Sequence, residues 1–358
     1  MRDIPVLGRI LADVRTFASD NTAPAAPEIL EALVSANHED AVSYGDDPWT
    51  ARANEQIRAI FGRETEALFA FNGTGANVIA LSCLLKPYEA VLAPASAHLQ
   101  TDECGAFERF TGSKVLPVVT ADGKLRIEDL RPYVGEPHDE HHVVPRAISI
   151  SQSTEYGGLY EPEELRELCN FAHKAGWYVH VDGARIANAA AALGLGLREG
   201  TRDLGVDVLT FGGTKNGLLF GEAIVFFDPA LHRGAAKFAR KQGMQLASKM
   251  RYIAAQFSAL LEDNRWHKYA SHANAMAQRL QTRVAGIPAV RITRPVRCNA
   301  IFATLDSEAI ARITQEFFFY TFDPTLPEVR WMTHHATRPE DVDAFADAIM
   351  RGVAAPAG

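Results

Sequence analysis

The sequence has little cysteine and no long apolar run, and both absences narrow the class of protein. Its 358 residues include four cysteines, Cys83, Cys104, Cys169 and Cys298, without a CxxC pair. This pattern argues against a disulfide scaffold and favours reduced thiols in a cytoplasm. No apolar run approaches the roughly 20 residues that a membrane-spanning helix needs. No basic tract is long enough to indicate nucleic-acid binding.

What remains is the composition of an ordinary cytoplasmic globular protein, with a net charge of -8 and 47% hydrophobic residues. The N-terminal stretch MRDIPVLGRILADVRTF has apolar residues at helical spacing, but Arg9, Asp13 and Arg15 interrupt them, so it is not typical of a secretory signal. We interpret residues 1–16 as an arm that packs on a partner or on a smaller domain. The length predicts about two domains, at roughly 150 residues each.

Strand-like and helical segments alternate along the first two thirds of the chain, which predicts a mostly parallel sheet wrapped by helices. After Pro229 the pattern is helical to Leu280, and short strands follow, which predicts a smaller α+β domain. We therefore expect a large α/β domain at 17–235 and a small C-terminal domain at 236–358. The predicted strands of the large domain are Ala67–Phe71, Ala90–Ala93, Lys114–Val118, Ala147–Ser151, Trp177–Val181, Val206–Phe211 and Ala223–Phe227.

Lys215 is the first candidate for chemistry, because it follows an apolar strand in the stretch DVLTFGGTKNG. Gly212, Gly213 and Gly217 predict that the backbone approaches a bound group closely. A lysine in this position is partly desolvated and suited to Schiff-base formation with a carbonyl. The alternative is a solvated lysine in a loop, and the local motif alone does not decide between the two.

Asp182 is the second candidate, because the alternating run of WYVHVDGARIAN delivers it to the end of a strand. Ligands of open α/β sheets bind beyond the carboxyl ends of the strands, so Asp182 and Lys215 are expected at one edge if their strands share a sheet. A carboxylate beside a reactive lysine is typical of pyridoxal phosphate (PLP) sites, where it keeps the pyridine nitrogen protonated. The alternative is that Asp182 only caps the helix that follows.

A third segment, FAFNGTGANVIAL, predicts a strand, a turn with Gly73 and Gly75, and a helix. The N-terminus of a helix favours an anion, and Thr74 adds a hydroxyl donor, so this turn is a candidate phosphate site. The stretch is not a P-loop, because no Gly-Lys-Ser/Thr follows.

Taken together, these motifs resemble those of fold-type I PLP enzymes of the threonine aldolase and β-eliminating lyase group, specifically the low-specificity L-threonine aldolases. The resemblance covers nearly the whole chain. It rests on eight segments in the order of that group: SDNT (19–22), SYGDDPWT (43–50), NGTGAN (72–77), AHLQTDECGA (97–106), SQSTEYGGLY (151–160), VHVDGARIANA (179–189), TFGGTKNG (210–217) and EVRWMT (328–333).

The resemblance implies a cofactor, PLP, and a role for each residue that matches a cofactor position. Lys215 would be the Schiff-base lysine, Asp182 the partner of the pyridine nitrogen, and His98 the imidazole stacked over the ring. Gly73 and Thr74 match the phosphate turn. Arg251 resembles an arginine that reaches the cofactor phosphate, within one subunit or across a subunit boundary.

The resemblance also implies substrate contacts and a reaction. Ser19, Arg185 and Arg330 match positions that hold the substrate carboxylate, for which the planar guanidinium fork is well suited. The implied reaction is retro-aldol cleavage of L-threonine, L-allo-threonine or a related L-β-hydroxy-α-amino acid, including phenylserine, to glycine and an aldehyde. His98 is the leading candidate for the base at the β-hydroxyl, with Glu103 and Glu155 in reserve. Glu103 is also a candidate substrate contact.

One branch of the group has a histidine where this sequence has Glu155, so the preferred β-substituent stays open. The arm and Arg251 together predict a homodimer or homotetramer with shared sites. A different PLP activity on the same fold, such as β-elimination, racemisation or transamination, is a second hypothesis.

A third hypothesis is a metal site at the HDEHH cluster, which includes His138, His141 and His142, with His334 and His335 further along. Flanking glycine and proline favour a solvated loop there, so we predict no metal.

Overall fold

The computed structural model describes residues 16–135, 139–232, 234–323 and 325–354. The predicted arm, residues 1–16, lies outside these ranges except for its last residue. Within the described ranges, no helix combines the length and the apolar character needed to cross a bilayer.

A mostly parallel seven-stranded sheet forms the centre of the larger part, as predicted. Its spatial order is β1-β7-β6-β5-β4-β2-β3, and β7 runs antiparallel to both of its neighbours. All seven predicted strands agree with the observed ones to within two residues at each end, except that β4 starts three residues earlier than predicted. The observed strands are β1 (Glu66–Ala70), β2 (Glu89–Pro94), β3 (Lys114–Val118), β4 (Val144–Ser151), β5 (Tyr178–Gly183), β6 (Val208–Gly212) and β7 (Glu222–Phe226).

In the part of the chain that the structure describes, ten α-helices connect or flank these strands up to residue 261, and three more follow. They are α1 (Pro27–Ala36), α2 (Pro48–Phe61), α3 (Gly73–Ser82), α4 (His98–Thr101), α5 (Ala106–Thr111), α6 (Ile127–Leu130), α7 (Pro162–Lys174), α8 (Ile186–Leu193), α9 (Ala236–Gln242), α10 (Arg251–Leu261), α11 (Arg265–Val284), α12 (Ser307–Ile313) and α13 (Pro339–Ala354).

Side-chain caps fix the start of the helices that matter for the site. Asp47 accepts the Thr50 N–H at 2.8 Å ahead of α2, and Pro48 occupies the first helical position. Asn72 accepts the Gly75 N–H at 2.8 Å ahead of α3. Each cap satisfies an amide that has no partner inside its helix, typically worth about 1 kcal/mol.

Both faces of the large sheet are buried, which explains its near-continuous apolar strands. On one face Phe69, Val181 and Phe211 pack with Ile253 and Phe257 of α10. The opposite face packs against a second cluster, which includes Leu68, Val78, Ile79, Phe107 and Phe226. The sheet is therefore held between helices on both sides, and only its edges are left for ligands.

A smaller antiparallel sheet, in the order β10-β11-β9-β8, belongs to the C-terminal part. Its strands are β8 (Arg291–Ile292), β9 (Ala300–Thr304), β10 (Tyr320–Asp323) and β11 (Glu328–Met332). Trp331 packs edge-on against Phe345, with 5.4 Å between ring centroids, inside a core that also contains Phe17 and Ile301. This is the predicted α+β architecture.

By internal contacts the chain divides between Ser271 and His272, inside α11, rather than at the predicted boundary 235/236. One unit is Pro24–Ser271, and the other combines the described residues up to Ala23 with those from His272 onwards. The reason is that α10 carries Ile253 and Phe257 into the core of the large sheet, so the helical region after residue 235 belongs to the larger unit.

Two glycines at the end of β6 make room for neighbouring protein backbone, while their predicted approach to a bound group stays a prediction. A Cβ at Gly212 would stand 2.6 Å from the Ala184 carbonyl oxygen and 2.7 Å from its Cα. A Cβ at Gly213 would stand 2.7 Å from the carbonyl oxygen of Gly221. The strand ends that carry Asp182 and Lys215 therefore approach more closely than a side chain permits.

We predict that Gly212→Ala separates these strand ends and lowers the free energy of unfolding by about 1–3 kcal/mol, because backbone atoms cannot yield as a flexible side chain does. Urea denaturation measures this change. Gly286→Ala is the matched control, since a Cβ at Gly286 meets nothing within 4 Å. Equal stability of Gly212→Ala and the wild type would show that the close approach imposes no constraint.

Candidate active site

Asp182 and Lys215 lie at the carboxyl edge of the large sheet, on adjacent parallel strands. Asp182 on β5 is paired with Thr210 on β6, and Lys215 lies in the 3-10 turn Thr214–Asn216 that follows β6. The register of β5 and β6 thus brings together the two residues on which the sequence-based prediction depends.

The carboxylate of Asp182 is held in its ionised form by its surroundings. Burial disfavours the charge, but the backbone N–H of Ala184 at 3.0 Å, the Asn77 amide at 2.9 Å and the charge of Lys215 outweigh it. The pKa of Asp182 is accordingly below its ordinary value. A permanently ionised carboxylate at this place suits a cationic or protonated partner.

A chain of hydrogen bonds joins Asp182 to His98. The Asn77 amide donates both to Asp182 Oδ2 and to Glu103 Oε1, each at 2.9 Å. The same Glu103 oxygen lies 2.9 Å from His98 Nδ1. Glu103 is buried, whereas the His98 side chain is 41% exposed. Of these hydrogen-bonded side chains, the His98 imidazole is the one that a ligand can reach, and the buried Glu103 carboxylate fixes its orientation through Nδ1.

The pKa of His98 lies above its ordinary value. The hydrogen bond to Glu103 is the main cause and outweighs the burial of the ring, while the charge of Lys215 acts in the opposite direction. This bond fixes Nδ1 to the protein, so Nε2 is the nitrogen available for proton transfer.

Glu155 supports the backbone on which His98 is carried. Its Oε1 accepts the His98 N–H at 3.1 Å, at the start of α4, and the Ser151 hydroxyl at 2.5 Å. Burial raises the pKa of Glu155, and its second oxygen is buried without a hydrogen bond in the described structure. Both reserve bases, Glu103 and Glu155, are thus engaged with His98.

The turn with Gly73 and Thr74 forms the first residues of α3, with Asn72 as its cap. A Cβ at Gly73 would meet nothing within 4 Å, so the space beside the helix start is open. Gln245 packs against the turn at Gly75, where a Cβ would stand 2.3 Å from its carboxamide carbon. The carboxamide oxygen of Gln245 accepts the Phe71 N–H at 2.9 Å. The positive end of α3 and this open space suit a phosphate group.

The predicted arginines occupy different surroundings. Arg185 lies two residues after the end of β5, at the N-terminal boundary of α8, and is half-buried. Arg251 begins α10, where its guanidinium donates to the Glu39 carbonyl at 3.0 Å and stacks over Trp49, 5.7 Å from the ring centroid. These contacts of Arg251 do not include the Gly73 turn, so its phosphate role stays a prediction.

Ser19 and Arg330 belong to the smaller unit. The Ser19 hydroxyl caps the 3-10 turn Asp20–Thr22 by accepting the Asn21 N–H at 3.2 Å. Arg330 lies on β11, opposite Phe302 of β9 and Tyr320 of β10. Their contact with the substrate carboxylate stays a prediction from the resemblance.

Two residues of the site were not assigned from the sequence. Asn77, inside α3, joins Asp182 to Glu103. Glu222, the first residue of β7, accepts the Gly213 N–H at 3.0 Å, two residues before Lys215. Each is a single polar residue in an otherwise apolar segment, which is the signal that the sequence contained.

The HDEHH segment, residues 138–142, is where a metal site was considered and not predicted. His138 lies outside the described residues, and His142 contacts Asp139 at 2.7 Å on the surface. Across the described ranges, no group of three or more histidine, cysteine and carboxylate side chains is arranged to hold a metal ion.

The residues of this edge fit PLP. An ionised carboxylate that could pair with a protonated pyridine nitrogen, a lysine after the adjacent strand, a half-exposed imidazole and an open helix N-terminus all lie in the larger unit. These groups match, one by one, the ring nitrogen, the aldehyde, the ring face and the phosphate of that cofactor.

The seven-stranded sheet, with an aspartate and a lysine on adjacent strand ends, defines a fold-type I enzyme of the PLP class. The chain belongs to the β-eliminating lyase family, whose model matches residues 16–308.

Named relatives and solved structures agree with this family. The chain is 44% identical to the low specificity L-threonine aldolase of Pseudomonas sp. (strain NCIMB 10558) over 86% of its own length and 89% of that protein. It is similar to the structure of Leishmania major threonine aldolase, with a TM-score of 0.90, 31% identity and coverage of 95% and 99% of the two chains. A NifS-like protein of Rickettsia africae shares the fold, with a TM-score of 0.71 at 15% identity and coverage of 95% and 100%.

We predict that Glu103→Gln lowers the pKa of His98, because it removes the charged acceptor that raises the pKa and leaves the burial that lowers it. A pH titration followed by imidazole NMR should show the midpoint fall towards or below the ordinary 6.5. His173 is an internal control, since its pKa is raised by a separate carboxylate, Asp207. An unchanged His98 midpoint would mean that Glu103 does not control this proton.

Proposed function

We propose that this protein cleaves L-threonine, L-allo-threonine or related L-β-hydroxy-α-amino acids, including phenylserine, to glycine and an aldehyde, with PLP as cofactor. The observation that carries the proposal is the hydrogen-bonded chain from ionised Asp182 through Asn77 and Glu103 to the exposed ring of His98. This chain connects Asp182, which would keep the pyridine nitrogen protonated, with His98, which would accept a proton from the substrate. The Pseudomonas relative named for this activity is covered over 89% of its length, which supports the same assignment.

Three parts of the larger unit would hold the cofactor. Lys215 would bind its aldehyde carbon through the side-chain amine. Asp182 would keep a proton on the pyridine nitrogen, and the N-terminus of α3 with Gly73 and Thr74 would bind the phosphate. When bound, PLP supplies an electron sink for the electron pair released as the Cα–Cβ bond breaks.

His98 is the group that we assign to the β-hydroxyl proton. Its Nδ1 is held by Glu103, so Nε2 can accept a proton directly or through one water. The negative charge of Glu103 stabilises the imidazolium that forms. Because the pKa of His98 is raised, the free base becomes available only as the pH rises through that pKa, and the rate should increase over the same interval.

Arg185 is the residue of the larger unit that we assign to the substrate carboxylate, because it lies three residues after Asp182, just beyond the end of β5, and offers a bidentate fork. For Ser19 and Arg330 we propose the same substrate group, on the resemblance alone. The assignment of Arg251 to the phosphate rests on the same ground.

We further propose that the protein acts in the cytoplasm as a homodimer or homotetramer. The scattered cysteines, which include no CxxC pair, support a reducing compartment, and Cys169 is buried as a free thiol. Arg251 contacts Glu39 and Trp49 of its own chain, so its contribution to a neighbouring subunit's phosphate site is proposed on the resemblance alone.

Lys215→Ala tests the proposed chemistry directly. We expect release of glycine and aldehyde from L-threonine, L-allo-threonine and L-phenylserine to fall by about 10³-fold or more, because the nucleophile is removed from a turn without loss of core packing. The borohydride-sensitive visible absorbance should vanish as well. Lys114→Ala, which alters an exposed lysine on β3, is the control. Near-normal turnover by Lys215→Ala would refute the proposal, and other products from the wild type would indicate a different PLP reaction.

Asp182→Asn separates the cofactor role from a capping role. The amide has one oxygen for two donors, Ala184 and Asn77, so we expect a stability loss of only about 1 kcal/mol. Loss of the charge, in contrast, should lower kcat by about 100-fold or more, since the pyridine nitrogen loses its partner. Kinetics and a thermal melt of the same variant measure both effects.

Asp207→Asn is the matched control for Asp182→Asn. Asp207 precedes the buried strand β6 and, like Asp182, accepts a backbone N–H, that of Val179 at 2.7 Å, but its side-chain partners, Val179 and His173, are not among the proposed site residues. It should lose stability and keep kcat. If Asp182→Asn behaved in the same way, Asp182 would only cap the chain.

A further inference from the structure

Glu222 is a buried carboxylate at the reactive edge of the sheet, and the chemistry above leaves it without a role. It begins β7, is 6% exposed, and is the only charged residue of that strand. Its two partners in the sheet are Gly212 of β6 and Ala70 of β1. Neither partner carries a charge that would compensate a buried carboxylate, so the compensation comes from elsewhere.

The compensating groups all belong to the turn that carries Lys215. Glu222 Oε2 accepts the Gly213 N–H at 3.0 Å. The Thr214 hydroxyl oxygen accepts the Gly221 N–H at 3.1 Å, which joins the turn to the residue immediately before Glu222. Glu222 thus binds the turn two residues before Lys215, and Thr214 ties the next residue of the turn to the start of β7.

The charge of Lys215 acts on Glu222 as well. Burial raises the pKa of Glu222 to about 7, while the hydrogen bonds of the turn and the charge of Lys215 limit the rise. Asp182 is the other charged group that acts on it, and it favours the protonated form. Near neutral pH, Glu222 is therefore divided between its charged and its neutral form, next to an amine that must lose a proton to react.

We propose that Glu222 is a positioning residue for Lys215, which fastens the Gly213–Thr214 turn through its carboxylate and sets the charge beside the lysine amine. When Glu222 is ionised, the ammonium form of Lys215 is stabilised. When Glu222 holds a proton, the amine is released from that attraction and becomes nucleophilic. The inference rests on the proposed function, because that function gives Lys215 its chemical role.

The test measures the proton affinity of Lys215 in the cofactor-free protein, so that it does not depend on turnover. Trace acetic anhydride labels each amine in proportion to its unprotonated fraction, and mass spectrometry of the peptide with Lys215 gives a midpoint in pH. Glu222→Gln keeps the size of the side chain and removes its charge. We expect the midpoint to fall by about one pH unit or more, because an opposite charge close by no longer favours the ammonium.

Glu89→Gln is the matched control. Glu89 is also a buried glutamate at the start of a strand and also accepts a backbone N–H, that of Lys86 at 2.8 Å, but it belongs to β2. Its substitution should leave the Lys215 midpoint unchanged. In the PLP-loaded protein, the pH midpoint of the visible absorbance should shift with Glu222→Gln in the same direction as the labelling midpoint.

An unshifted Lys215 midpoint in folded Glu222→Gln would overturn the proposal. If Glu222→Gln does not fold, Thr214→Val takes its place. The substitution removes the hydroxyl that accepts the Gly221 N–H and so loosens the turn against the start of β7. The midpoint should then fall by a smaller amount, and no change would again overturn the proposal. A failure of the proposed function would look different. The wild type would form no glycine, whereas the Lys215 labelling midpoint would still shift between the wild type and Glu222→Gln.

Discussion

The pairing of β5 with β6 is the constraint on which the rest of the site depends. It sets Asp182 opposite Thr210. Lys215 follows Thr210 five positions later, in the turn at the end of β6. The pairing ends where Gly212 meets the backbone of Ala184, an approach that a Cβ would prevent. Because the strands are parallel, their carboxyl ends lie at the same edge of the sheet. That edge therefore carries both a carboxylate and an amine, and no long loop is needed to bring them together.

From this pair the remaining groups follow in successive layers. α3 lies on the sheet and contributes Asn77 from one turn beyond its N-terminus, so one helix serves both the phosphate turn and the carboxylate. Asn77 also reaches Glu103, and Glu103 fixes His98. The packing of α3 against the sheet therefore sets the distance between Asp182 and His98. The buried Asn77 amide, which is hydrogen-bonded on both sides, holds that distance fixed.

Local sequence patterns were sufficient for the elements and for most of the site. Alternation in WYVHVDG and the apolar run before Lys215 predict both strands within two residues, because a strand buried on both faces has a characteristic composition. The short strands predicted after Leu280 were Val290–Ile292, Ala300–Leu305 and Val329–Met332. β10 was missed because Tyr320–Asp323 is partly exposed and its register shifts, so no alternation remains to be detected. The division of the chain was misplaced because the apolar face of α10 does not reveal which core it enters.

Asn77 and Glu222 were missed for a different reason. Each is a single polar residue in an apolar segment, and its partners are fixed only by tertiary structure. Glu222 reaches the lysine turn because β7 is inserted between β1 and β6, and strand order is not written in local periodicity. An isolated carboxylate in the stretch GEAIVFF is nevertheless a signal, since a buried charge requires a compensating group nearby.

The carboxylates of this edge are driven toward opposite protonation states by their surroundings. Asp182 has two strong donors and a nearby ammonium, so its pKa is lowered and it remains charged. Burial dominates for Glu155 and Glu222, so the pKa of each is raised. Such a separation lets one edge keep a permanently charged carboxylate while Glu222, whose pKa burial raises to about 7, exchanges a proton near neutral pH. A site that ionised all of these carboxyls would repel the carboxylate of an anionic substrate, so the burial that is costly for Glu155 and Glu222 also limits the negative charge that such a substrate meets.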